Sequence, residues 1–180
     1  MNDKLHSAPP LSRNALLEKA LRLLGRQDYA LAELEGRLKP RASTEDDVAW
    51  VIGKLREAGF IDDSRVALRR AMSARELRLV GRRRAEQELR QRCLENSAIS
   101  RGIEAAYRGV EEEELALRYL REKLPTYLRD DKLEDRKVLQ RAYGRLRRAG
   151  FTHGDSIRAL RNHSLLAGSL DEFAADETGD

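Results

Sequence analysis

Val48, Val51, Ile52 and Leu55 follow the i, i+3, i+4, i+7 spacing that places four apolar side chains on one helix face, and Gly59 ends the run soon afterwards. Short apolar faces of this kind, each cut by glycine or proline, recur along the whole chain and point to short helices. Glycine accepts the left-handed conformation after a helix C-terminus without a Cβ clash, so Gly59 predicts a cap and Phe60 a side chain folded back onto the last turn. Asp62 and Asp63 then predict a new helix start, their carboxylates accepting from first-turn amides at the positive end of the dipole. The stretch from Leu55 to Ala67, L-R-E-A-G-F-I-D-D-S-R-V-A, thus closes one unit and opens the next.

From the N-terminus, residues 1–12 hold two prolines and no periodicity and read as a disordered leader. Ser12 predicts the cap of a helix with Leu17, Ala20, Leu21 and Leu24 inward, ending near Gly25. A second helix is expected from Asp28, with Leu31, Leu34 and Leu38 inward and Pro40 barring continuation. Ser43 or Thr44 predicts the cap of the third, whose first turn holds acidic residues 45–47. The next set opens with a helix from about Asp63 to Leu79, carrying a small-residue stripe of Ala67, Ala71 and Ala74 with Leu68 and Met72 beside it. Gly81 breaks it; Ala85, Leu89 and Cys93 form the following face, and Asn96 or Ser97 caps a helix that turns Ile99, Ile103, Ala106 and Tyr107 inward. In the last set, Glu111 to Glu114 suit a helix N-terminus, Leu117, Leu120 and Leu124 follow, and Pro125 ends the helix. Leu139, Ala142, Tyr143 and Leu146 line the next, closed by Gly150 and Phe151, before a short helix with Ile157 and Leu160.

The plan repeats. Ala-Leu-Arg begins at positions 20, 67 and 116, a period of 47 and then 49 residues. The Leu ending each second helix precedes an inward residue of the third by ten, ten and eleven positions (Leu38 to Val48, Leu89 to Ile99, Leu146 to Ile157). Two anchors in step predict an all-α fold of three tandem three-helix repeats in an elongated, curved array, over residues 13–61, 62–109 and 110–164. An acidic disordered tail is expected over 165–180. An irregular helical bundle is the alternative.

Charged residues make up 37% of the chain and aromatics 5%, so charge must cover the helix faces and Leu, Ala, Val and Ile must fill the cores. No alternating β-branched run, bilayer-length apolar stretch or secretory signal core is present, which predicts a cytoplasmic protein without membrane contact. Without a heptad seam or strand edge, a monomer is expected. Cys93 has no intrachain disulfide partner and reads as a small core residue. His6, His153 and His163 lack metal-ligand spacing, no glycine loop cradles a phosphate, and no carboxylate pair stands apart from neighbouring arginines. No catalytic residue, metal or cofactor is therefore expected, and an enzyme is the least favoured class.

The formal net charge is +4, but Asp171, Glu172, Asp176, Glu177 and Asp180 fall in a C-terminal segment without Lys or Arg, which leaves the body at +9. Such a body suits an anionic partner, either nucleic acid or an acidic protein surface. Charge is densest where Arg69, Arg70, Arg75, Arg78, Arg82, Arg83, Arg84, Arg90 and Arg92 stand against Glu76, Glu86 and Glu88. The guanidinium fork makes paired hydrogen bonds to carboxylate or phosphate that a lysine does not. Clustered like charge weakens a helix, as with Arg78 and Arg82 at i, i+4, so the window predicts a binding surface whose partner supplies the compensating charge. A solvated helix face is the plain alternative.

The stretch from Leu55 to Ala67 resembles the signature of the RecX family of recombinase regulators, a Gly-aromatic-aliphatic-Asp-Asp element followed by Arg and Ala: here Gly59, Phe60, Ile61, Asp62, Asp63, Arg65 and Ala67. Tyr29 with Glu33-Leu34 and Leu38, Gly81 with Arg82 to Arg84 and Glu88-Leu89, and Leu146 to Phe151 resemble further family patterns, so the likeness spans residues 14–162. Val66 departs from the family's usual aromatic, and Arg92-Cys93-Leu94 stands where a Lys-Gly-aliphatic turn is common. The resemblance implies a regulator of DNA repair and homologous recombination, linked to the SOS response. Such a protein binds the RecA filament on DNA, lies in its helical groove and restrains its ATPase and strand exchange. Direct non-specific binding of single- or double-stranded DNA is the alternative.

Overall fold

Five short polar side chains set helix starts by accepting from the amides of the turn they precede: Ser12, Thr44, Asp62, Asp135 and Thr152. The computed structural model describes residues 9–129 and 132–167; most of the expected leader and the tail from residue 168 lie outside the described residues. The helices are α1 (Arg13–Leu24), α2 (Leu31–Leu38), α3 (Glu45–Glu57), α4 (Asp63–Glu76), α5 (Arg82–Arg90), α6 (Asn96–Tyr107), α7 (Glu112–Lys123), α8 (Arg136–Arg148) and α9 (His153–Arg161). Among the described residues the sole β feature is an isolated bridge between Leu11 and Ala42. The fold is all-α, and within each consecutive triplet the first helix packs on the third: α1 on α3, α4 on α6, α7 on α9.

The apolar interior has two parts. Leu16, Leu34, Leu38, Val51 and Leu55 centre a cluster private to α1–α3, while a second runs without a break from α4 to α9. Close approach of α4 and α6 rests on the alanine stripe and on Gly102, where a Cβ would lie 2.8 Å from the carbonyl carbon of Ala67. The N-terminus of α5 abuts the C-terminus of α8: Gly81 donates its N–H to the Ala149 carbonyl at 2.8 Å, and a Cβ on Gly81 would sit 2.5 Å from the Gly150 oxygen.

Several local expectations are corrected. α2 starts at Leu31, not Asp28, because Asp28 is held by Arg69 at 2.6 Å and Arg65 at 3.9 Å instead of capping the helix. α4 stops at Glu76, three residues short of Leu79, which takes φ 56° and is fully buried. Burial of that side chain offsets a conformation unfavourable for a branched residue. α6 is preceded by Glu95 without a side-chain cap, so neither Asn96 nor Ser97 serves. Leu21 and Met72 are exposed, lying beyond the edge of their buried faces.

Both Gly-Phe joints close as expected, with Gly59 at φ 71° and Gly150 at φ 94°, and with Phe60 and Phe151 donating their N–H groups to the carbonyls of Leu55 and Leu146. Their side chains diverge. Phe151 is fully buried, edge-on to Tyr119 with ring centroids 5.9 Å apart, whereas Phe60 is 48% exposed. α5 and α7 close over the second joint; the first is left open to solvent, so Phe60 does not fold back onto its helix. Cys93 is likewise exposed, not in the core: it lies past the end of α5 in a left-handed turn at φ 55°. That is the position where the resembling proteins commonly carry glycine.

Candidate anion-binding surface

The nine arginines expected to form one surface divide by what holds them. Arg69, Arg70 and Arg92 form the seam between the first two helix triplets. Arg70 meets both oxygens of Glu33, at 2.8 and 3.4 Å, Arg92 reaches Glu33 at 2.8 Å from α5's far end, and Arg69 pairs with Asp28. Glu33 also accepts from the Ala30 N–H at 3.3 Å, so one carboxylate in the first turn of α2 fastens α4 and α5. Burial alone would push the Glu33 carboxyl up; the Arg92 and Ala30 hydrogen bonds and the charges of Arg70 and Arg92 overcome this and hold it below the ordinary glutamate range.

The remaining arginines pair within the second triplet. Arg78 and Arg84 converge on Glu88 at 2.5 and 2.9 Å, Arg82 reaches Glu104 at 2.9 Å, and Arg90 pairs with Glu86 at 2.6 Å. Glu88, too, is pushed up by burial and brought below its ordinary value by its two arginines. Arg75 pairs with Glu76 and donates to the Ala106 carbonyl, bracing α4 against α6. Of the nine, Arg83 alone enters no ion pair among the described residues. The window is thus compensated from within the fold, where its sequence predicted compensation by a partner. Even so, seven of the nine (all but Arg70 and Arg75) remain exposed.

The Asp-Asp element is a junction. Asp62 caps its own helix through the Arg65 N–H at 3.0 Å, while Asp63 turns the other way and accepts from the Leu31 N–H at 2.9 Å. Ala67 is fully buried against α6, Arg65 leans to Asp28, and Ile61 packs at the edge of the first core.

A second cationic surface escaped attention in the sequence. α8 carries Arg136, Lys137, Arg141, Arg145, Arg147 and Arg148 and no acidic residue, with Leu139, Ala142 and Leu146 buried on the opposite side. Its signal was there to find: a thirteen-residue segment with six cations and no carboxylate. Near the α8 C-terminus, Arg83, Arg84, Gln87, Arg147, Arg148 and Phe151 line a shallow concavity of about 310 Å³.

No family model matches the chain. Over 138 residues it is 33% identical to a protein named regulatory protein RecX from Mycobacterium sp. (strain JLS), covering 76% of this chain and 75% of that one. The chain belongs to the RecX family. A RecX from Deinococcus radiodurans is 34% identical over 139 residues, 77% of this chain and 63% of that one. The crystal structure of RecX from Lactobacillus salivarius superposes with a TM-score of 0.69 at 17% identity, over 83% of this chain and 95% of that one. A second crystal structure of a regulatory protein RecX gives 0.64 at 22% identity, over 79% and 70%. These two establish that the helices are arranged as in RecX folds.

Among the described residues no set of three or more His, Cys, Asp or Glu could hold a metal, and no helix is long and apolar enough to cross a membrane. His153 accepts or donates a hydrogen bond with the Tyr143 hydroxyl at 2.9 Å, tying α9 to α8. Burial and the charge of Arg121 lower the His163 pKa.

Proposed function

We propose that this chain is a non-enzymatic, monomeric cytoplasmic regulator that binds the RecA filament on DNA and restrains its ATP hydrolysis and strand exchange. The observation that carries this reading is the match to proteins named regulatory protein RecX across three quarters of the chain. The exposed arginines support it: a guanidinium has five donors, and a single carboxylate partner leaves several of them turned to solvent. Arg69, Arg78, Arg82, Arg84, Arg90 and Arg92 are therefore ordered in place yet still able to meet carboxylates on a protein surface. Arg70 and Arg75 belong to the framework that positions them. The three units, 13–61, 62–109 and 110–164, would supply an extended contact surface, and no cofactor is needed.

The test is DNA-dependent ATP hydrolysis by RecA with the chain added well below one copy per RecA subunit. Hydrolysis should fall, because one molecule seated on a cooperative filament affects many subunits. Inhibition that appears only when the chain coats the DNA, and that fades as free DNA is added, would replace this reading with direct nucleic-acid binding.

A further inference from the structure

Eight of the nine arginines of the Arg69–Arg92 window have carboxylate partners, all but Arg83; on α8, a row of four cations stands differently. Lys137, Arg141 and Arg145 follow at i, i+4 and i+8, Arg148 lies three residues on, and all four are exposed. Among the described residues none of the four enters an ion pair. Like charges at these spacings destabilise a helix, so the row is kept without an internal compensator. The helix dipole accounts for Arg145 and Arg148 near the C-terminus, but it disfavours Lys137 in the first turn. At its C-terminal end the row runs onto Arg83, which flanks the same concavity as Arg148.

We propose that Lys137, Arg141, Arg145, Arg148 and Arg83 bind the phosphodiester backbone of a nucleic-acid strand. The row from Lys137 to Arg148 extends roughly 16 Å along the helix axis at ~1.5 Å per residue. A DNA strand carries one phosphate per ~3.4 Å of axis, so the row faces a run of phosphates, not one anion. The exposure of all five heads also argues against a pocket for a single buried ion. An acidic protein surface fits less well, because protein interfaces centre on apolar anchors and no large exposed apolar residue lies on α8 or α5. The site deepens the filament-regulator reading and rests on it for the source of the strand, the DNA that the filament carries.

The test is fluorescence anisotropy of a labelled oligothymidine and of a labelled duplex with the full chain over a salt series. A variant combining Arg83→Gln, Arg141→Gln, Arg145→Gln and Arg148→Gln should reduce the slope of log affinity against log salt by about 3 on the single strand and somewhat more on the duplex, at ~0.7 and ~0.9 per phosphate contact. A slope loss on one form with none on the other identifies the form bound. Arg69→Gln with Arg90→Gln, which removes ion-paired heads, should leave the slope at the wild-type value. An unchanged slope in the fourfold variant, with circular dichroism matching wild type, overturns the inference, as does equal loss in the control pair. Labelled polyglutamate bound through the same four arginines, with neither DNA bound, also overturns it. The RecA assay separates the two failures: wild type that inhibits RecA while the slopes do not move sinks only this site, and wild type that binds DNA through α8 without inhibiting RecA sinks only the regulatory reading.

Discussion

The carboxylate of Asp63, in the first turn of α4, accepts a 2.9 Å hydrogen bond from the N–H of Leu31, the first residue of α2. α2 begins after Ala30, which has no side chain with which to cap it, so the cap is supplied from the next helix triplet, 32 residues along the chain. Loss of a helix cap costs about 1 kcal/mol. Asp63→Ala should lower unfolding stability in urea by about that amount, and Asp63→Asn, which keeps an acceptor, by distinctly less. Equal effects would mean that charge, not the cap, is what Asp63 contributes.

Glycines that hold backbones together should differ sharply from those that do not. An added Cβ at Gly81 or Gly102 meets backbone under 3 Å away, and overpacking of this kind costs about 1–3 kcal/mol. Gly53 lies inside α3 with nothing within 4 Å of the Cβ position. Gly53→Ala should raise the melting temperature, by up to about 1 kcal/mol of stability, while Gly81→Ala and Gly102→Ala lower it. Thermal melts that rank the three otherwise would refute these packing assignments.

Cys93 occupies a left-handed turn that favours glycine. Its side chain is exposed and removing it sacrifices no buried contact. Cys93→Gly should therefore stabilise the chain by up to about 1 kcal/mol, and Cys93→Val, β-branched at the same φ, should destabilise it. Chemical denaturation of the pair at one pH under reducing conditions checks both signs.

Acid should act in opposite directions on two carboxylates. Glu33 titrates below its unfolded value, so its ion pairs stabilise the folded chain above the ordinary glutamate range and are lost as pH falls through the folded value. Glu112 is the reverse: burial first, then the charge of Asp155, hold it above the ordinary range despite the Arg82 N–H and the charges of Arg82 and Arg83. Ionised Glu112 therefore costs stability at neutral pH. Glu112→Gln should raise the melting temperature there and Glu33→Gln should lower it; the Glu112→Gln gain should shrink as pH falls from above the ordinary glutamate range into it, and the Glu33→Gln loss as pH falls below that range. A Glu112→Gln gain that persists unchanged into acid would rule out ionisation as its cause.

Helix order and inward faces were legible because a 3.6-residue period with glycine and proline punctuation is a local property. Val48, Val51, Ile52 and Leu55 are all buried, as are Ala67, Ala71 and Ala74. The errors share a cause: Asp28, Phe60, Leu79 and Cys93 were judged by their sequence neighbours, while each is placed by a residue or a solvent boundary the sequence does not show. Gly102 was invisible for the same reason, since its use lies in the proximity of Ala67 on another helix.

Local chemistry along the chain determined the all-α class, the caps at Ser12, Thr44 and Asp62, the Gly59 and Gly150 turns and the family signature, because each depends on interactions within a few residues. Tertiary structure alone decided which charges are satisfied. Charge density along the chain marked the Arg69–Arg92 window, yet folding brings Asp28 from the α1–α2 connection and Glu33 and Glu104 from other helices against it, and leaves Lys137, Arg141, Arg145 and Arg148 without such partners among the described residues. Ion pairing is a matter of a few ångströms in space, and residues 59 positions apart, such as Glu33 and Arg92, meet only once the helices have packed.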